Sequence, residues 1–176
     1  MKTIITIGGS TSKNSINKKL AEYTGTLLNG NKVVNLNLSD YKLPLYSVDE
    51  EVDKGFPEAL MKLNEAVSKA DGFIISLAEH NGAYAAAFKN VFDWLSRVEA
   101  KVWRKKPMLL LSTSPGPRGG QSVLEIALNR FPYHDAQITG SLAFPSFFEN
   151  FNDTEVTNLS LRSELIELVK TFEKAL

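Results

Sequence analysis

Residues 3–17 read TIITIGGSTSKNSIN. Five β-branched residues stop at Gly8-Gly9, hydroxyl and amide side chains follow, and from Ile16 onward apolar residues recur at Leu20, Tyr23 and Leu27. The first piece is a buried-strand pattern and the last is the stripe of an amphipathic helix. A strand that passes through a tight glycine turn straight into a helix is the opening half of a βαβ unit.

Outward from this stretch the pattern repeats. Short aliphatic or β-branched runs stand at 3–7, 32–38, 72–77 and 107–113, with a weaker one at 137–144. Three are almost continuously apolar, as parallel strands buried on both faces require. Between and after them lie helical stripes: Leu60, Leu63 and Val67; Phe88, Val91, Phe92, Leu95 and Val98; Leu124, Leu128 and Phe131; Leu161, Leu165, Leu168, Phe172 and Leu176. Five βα repeats predict an α/β fold, a flavodoxin-like three-layer sandwich with a five-stranded parallel sheet in order 2-1-3-4-5 and helices on both faces. In such a sheet, ligands bind at the carboxyl ends of the strands, at the point where the winding reverses.

The chain of 176 residues suits a single domain, 1–176, and its 43% hydrophobic and 23% charged content is that of an ordinary globular protein. Twenty basic and twenty acidic side chains cancel, so no net field points to nucleic acid or a membrane surface. The absence of cysteine excludes disulfides, thiolate catalysis and iron–sulfur clusters, and His80 and His134 lie too far apart for a metal-ligand spacing. The strand-like start is too short for a signal h-region and no apolar run reaches membrane length, so a cytoplasmic protein is expected. The irregular stretch 39–56 is long enough to be functional.

The chemistry gathers in the turns. Gly9, Ser10, Ser12, Lys13, Ser15, Ile16 and Asn17 combine a flexible backbone, neutral donors and a helix N-terminus, a set suited to a phosphate monoester. The same residues are also the usual helix N-cap set, and neither a Walker loop nor GxGxxG is present. After the third strand comes Glu79-His80-Asn81-Gly82, then Tyr84 and a helix with Lys89, Asn90, Asp93 and Trp94. After the fourth strand comes Ser114-Pro115-Gly116-Pro117-Arg118-Gly119-Gly120. The long second loop carries Leu43-Pro44-Leu45-Tyr46. Helical spacing alone accounts for Phe92 and Trp94 as packing residues and for Lys89–Asp93 as an ion pair.

These motifs resemble the NADPH-dependent FMN reductases of flavodoxin fold. That family's turns read approximately G-S-x-R-x-x-S-x-N, P-E-Y-N-G-S with L-K-N-x-x-D-W, L-P-L-Y, and S-x-S-P-G-R-x-G-G. Ser12 stands in place of the arginine, Ala78 in place of proline and His80 in place of tyrosine. The resemblance runs from the first strand to about Gly120. It implies FMN held by the first turn through its phosphate and by Leu45, Tyr46, Glu79, His80, Asn81, Gly82, Ser114, Pro115, Gly116 and Gly119 around its ring. Tyr84 and Arg118 then fall on the nicotinamide or substrate side. It further implies NADPH or NADH as hydride donor, a small-molecule electron acceptor (quinone, azo compound, metal oxyanion or free flavin), and a homodimer or tetramer. No side chain is expected to act as nucleophile or essential acid, because flavin N5 carries the chemistry. Two other readings share the fold: a flavodoxin-type FMN electron carrier without pyridine-nucleotide oxidase activity, and a non-redox binding module.

Overall fold

The computed structural model describes Met1–Leu176. In chain order it has β1 (Thr3–Gly9), α1 (Ile16–Thr26), β2 (Lys32–Leu36), a 3-10 turn (Leu38–Asp40), α2 (Val48–Lys54) and α3 (Glu58–Lys69). Then come β3 (Gly72–His80), β4 (Ala83–Tyr84), α4 (Ala86–Val98), β5 (Pro107–Thr113) and α5 (Gln121–Arg130). A second 3-10 turn (Phe131–His134), β6 (Gln137–Phe144), α6 (Phe147–Asn150) and α7 (Leu159–Ala175) complete it.

The long strands form a parallel sheet in order β2-β1-β3-β5-β6, the expected flavodoxin-like winding. Alternate strand residues feed two cores. Ile5, Ile7, Phe73, Ile75, Met108 and Leu110 pack under α3, α4 and α5, whereas Ile4, Ile74, Leu109 and Leu111 pack under α1 and α7. Side chains of successive strand residues point to opposite faces, so a continuous apolar run serves both layers.

Two elements depart from the expected pattern. The sixth strand, β4, pairs antiparallel with the end of β3 through Glu79↔Tyr84 and His80↔Ala83. Asn81 and Gly82 form the two-residue turn between them, both with positive φ (52° and 75°). Asn-Gly favours this hairpin because its turn twists in the same sense as the strands. The turn after β3 is therefore a rigid ribbon, not a loop. Second, α2 lies inside the stretch read as irregular. Ser47 caps it, accepting from the N–H of Glu50 at 3.0 Å, with Lys54 in its last turn and Gly55 closing it. It buries no side chain, so no apolar stripe marked it. The Ser-x-x-Glu spacing at Ser47–Glu50 is the local signal that could have found it.

Candidate functional site

A cleft of about 220 Å³ opens at the carboxyl ends of β1, β3 and β5, where the order of winding reverses. Its walls are Ser10, Ser12, Asn14, Ser15, Ile16 and Asn17 from the first turn, Ala78, Glu79 and His80 from the end of β3, and Thr113, Ser114 and Pro115 from the end of β5. Nine of these were singled out from the sequence; Asn14, Ala78 and Thr113 are additions made by the fold.

The first turn is a cradle of donors. Ser15 caps α1, accepting from the Lys18 N–H at 3.1 Å, and the Ser10 hydroxyl accepts from the Ser12 N–H at 3.1 Å. The N–H groups of Lys13, Asn14, Ile16 and Asn17 have no partner in the protein. Unpaired N–H groups at the positive end of an 11-residue helix, beside serine hydroxyls, match the acceptor oxygens and charge of a phosphate. Ser15 is thus both the cap and part of the cradle. Gly8 sets the height of the helix over the sheet: a Cβ there would lie 2.5 Å from the Lys18 Cα.

Asn17 is buried, at 3% exposure, and its side-chain amide faces the protein. Its Oδ1 accepts from the Thr113 N–H (2.9 Å) and the Ser76 hydroxyl (2.7 Å), while its Nδ2 donates to the Thr113 carbonyl (3.0 Å).

The third and fourth turns are joined by Glu79. Its carboxylate accepts from the Val123 N–H at 3.0 Å and so caps α5, whose own N-cap residue, Gly120, has no side chain to do so. Gly119 is left-handed, and a Cβ on it would meet the Phe144 carbonyl oxygen at 2.6 Å. Its carbonyl accepts from the Ser112 hydroxyl at 2.8 Å. The fourth turn is also tied to the segment after β6, since Ser114 and Gly116 carbonyls accept from the Phe147 and Ser146 N–H groups. Gly116 and Gly119 thus shape the turn that carries Ser114 and Pro115, and neither lines the cleft. Gly9 likewise ends β1 against Leu77.

The second loop is pinned along α4. Asn90 donates to the Pro44 carbonyl and accepts from the Tyr46 N–H, and the Trp94 indole N–H also donates to Pro44. Arg97 grips Glu51 in a two-pronged pair at 2.8 and 3.2 Å, and the Tyr46 hydroxyl donates to the same carboxylate. Arg97 holds the Glu51 carboxyl below the usual range, and desolvation raises the Tyr46 phenol. Tyr46, edge-on to Trp94, therefore fastens the loop, which leaves Leu45 83% exposed. A second cleft of about 350 Å³ lies between this loop, α4 and Thr11 of the first turn. Trp94 is fully buried and Phe92 nearly so; Lys89 and Asp93 pair at 2.7 Å.

Other sequence-selected residues lie apart. Lys13, Asn81 and Gly82 are exposed beside the cleft but do not line it. Arg118 is exposed and meets only the Ser122 hydroxyl, at 3.2 Å. Tyr84 does not line this cleft. The hairpin turns it away from the cradle into a groove of about 310 Å³ between α4 and α5. There it stacks on Phe131 with its hydroxyl buried and unpartnered, and burial pushes its phenol up to about 12.

This geometry defines a doubly wound α/β protein with a cleft bordered by three turns, and rich in free donors, at its switch point. Residues 2–149 match the family model for NADPH-dependent FMN reductases. A quinone reductase of Escherichia coli (strain K12) is 33% identical over 135 residues, which are 77% of this chain and 68% of that protein. A 2-hydroxy-1,4-benzoquinone reductase of Burkholderia sp is 34% identical over 118 residues, covering 66% of this chain and 62% of that one. Among solved structures, FerB, a flavoenzyme NAD(P)H:(acceptor) oxidoreductase from Paracoccus denitrificans, superposes with a TM-score of 0.82 at 25% identity, covering 99% of both chains. The chain belongs to the NADPH-dependent FMN reductase family, and with it to the NAD(P)H-dependent oxidoreductases that use FMN. The unpaired donors of the first turn fit that cofactor's phosphate.

Proposed function

We propose that this protein passes hydride from NADPH or NADH, by way of FMN seated in the switch-point cleft, to a small acceptor of the quinone type. The observation that carries the reading is the cradle itself: four unpartnered N–H groups and three serine hydroxyls at the start of α1, across the cleft from the Glu79–His80 and Ser114–Pro115 walls. Backbone donors aimed at a helix-terminal anion bind a phosphate without a compensating lysine or arginine. The isoalloxazine, when bound, supplies the hydride-accepting centre.

The chain's own part is placement. Ser10, Ser12, Ser15 and the N–H groups of α1 hold the phosphate; Glu79, His80, Ser114 and Pro115 border the ring and fix which face stays open to nicotinamide. The cleft reached across Thr11 offers a mostly apolar wall of Leu38, Leu43 and Val91 for an acceptor. The 220 Å³ cleft is smaller than most pockets that enclose a cofactor-sized ligand. The exposed Leu45, Val48 and Val52 beside α4, together with the groove that holds the unpaired Tyr84 hydroxyl, support a homodimer in which a second copy completes the wall.

The test is a visible spectrum of the purified protein and NADPH oxidation with menadione. Flavin absorbance and menadione-dependent oxidation are expected. Colourless protein that takes up no added FMN overturns the proposal, and retained FMN with oxidation of neither NADPH nor NADH identifies an electron carrier.

A further inference from the structure

The structure assigns Asn17 a role other than that of a ligand contact: we infer that its side chain is a positioning residue that locks the phosphate cradle to the fourth turn. The inference rests on the reading of the cleft as a flavin site.

Asn17 lies in the first turn of α1, next to the cradle, while Thr113 is the last residue of β5 and leads directly into Ser114 and Pro115. The Asn17 amide meets both backbone groups of Thr113, one as acceptor and one as donor, in the way a neighbouring strand would. The Ser76 hydroxyl, fully buried in β3, supplies a second donor to the same Oδ1. One side chain thereby joins the helix that opens the cradle, the strand that ends in the third turn and the strand that ends in the fourth. Three bonds to groups inside the protein hold the amide oxygen and one of the two Nδ2 hydrogens, while the Asn17 backbone N–H stays free for a ligand. Phosphate and ring are bound by different turns, so binding both at once requires a fixed distance between them. A buried, doubly paired amide holds such a distance better than a solvated contact, because its loss strands buried polar groups.

The test compares Asn17→Ala with wild type, and with Ser10→Ala as a cradle control. In the apoprotein, amide hydrogen exchange at Thr113 should rise about tenfold or more in Asn17→Ala, the scale of losing two buried hydrogen bonds, and stay at the wild-type rate in Ser10→Ala. Titrations should show Asn17→Ala weakened toward FMN, which must bridge both turns, more than toward riboflavin, and Ser10→Ala weakened toward FMN alone. Asn17→Leu keeps the shape but neither accepts from the Thr113 N–H nor donates to its carbonyl; it should show the same two changes and serves if the alanine variant does not fold. Unchanged Thr113 exchange in Asn17→Ala overturns the inference and, with FMN affinity still lost, makes Asn17 a phosphate ligand. The exchange measurement needs no flavin, so a wild-type protein that binds none defeats the proposed function without deciding the fate of the clamp.

Discussion

Glu79 sits where the ring-framing turns meet, and its removal has a calculable cost. Its carboxylate is the only side chain capping α5, at 3.0 Å from the Val123 nitrogen, because the residue before the helix is Gly120. Loss of an N-cap acceptor costs about 1 kcal/mol, and loss of a negative charge at a helix N-terminus about 0.5 kcal/mol more. Glu79→Ala should therefore lose roughly 1.5 kcal/mol, a fall in Tm of about 3–6 °C for a chain of this size. Glu79→Gln keeps an acceptor oxygen and loses the charge alone, so its fall should be about 1–2 °C. Differential scanning calorimetry measures both, and amide exchange at Val123 localises the effect: fast in the alanine variant, close to wild type in the glutamine one. If the two variants lose equal stability, or if Val123 stays protected in Glu79→Ala, then Glu79 does not cap α5.

Three more outcomes follow from other parts of the structure. Gly8→Ala places a methyl 2.5 Å from the Lys18 Cα, which forces α1 off the sheet; urea denaturation should show a loss of about 1–3 kcal/mol or more, with FMN affinity falling alongside. The Arg97–Glu51 pair depresses the Glu51 carboxyl, so its contribution is fully present above the ordinary carboxylate range and disappears as pH falls through the lowered value. The near-UV circular dichroism of Trp94 and Tyr46 should accordingly loosen at acid pH before global unfolding, and Arg97→Ala should abolish that early step. Arg118 has no acidic partner, which leaves it free for a dinucleotide phosphate: Arg118→Ala should raise the KM for NADPH several-fold, on the order of one lost charge-assisted hydrogen bond, with FMN affinity unchanged. An unaltered KM would make Arg118 a solvated surface residue.

Much of the site was legible because its signals are local. The Gly8-Gly9 turn with its hydroxyl run announced the cradle, and the Ser-Pro-Gly and Glu-x-Asn-Gly segments announced the other two turns. What escaped was the direction in which side chains point. The Asn81-Gly82 pair is a hairpin signal, and the antiparallel pairing it makes sets Tyr84 between α4 and α5. Asn17 fell on a family motif, yet its partner Thr113 lies 96 residues away, beyond any local pattern. The hold on Tyr46 comes from Asn90, Trp94 and Glu51, on helices that no local pattern joins to its loop.

The sequence by itself determined the order of the five parallel strands and the main helices between them, the two-sided burial of the sheet, and which turns carry donors, because periodicity and turn chemistry act over a few neighbouring residues. Only the tertiary structure decided which donors stay free and which side chains are spent on the scaffold. Those roles depend on residues far apart in the chain, which meet only after the sheet is assembled and its helices packed.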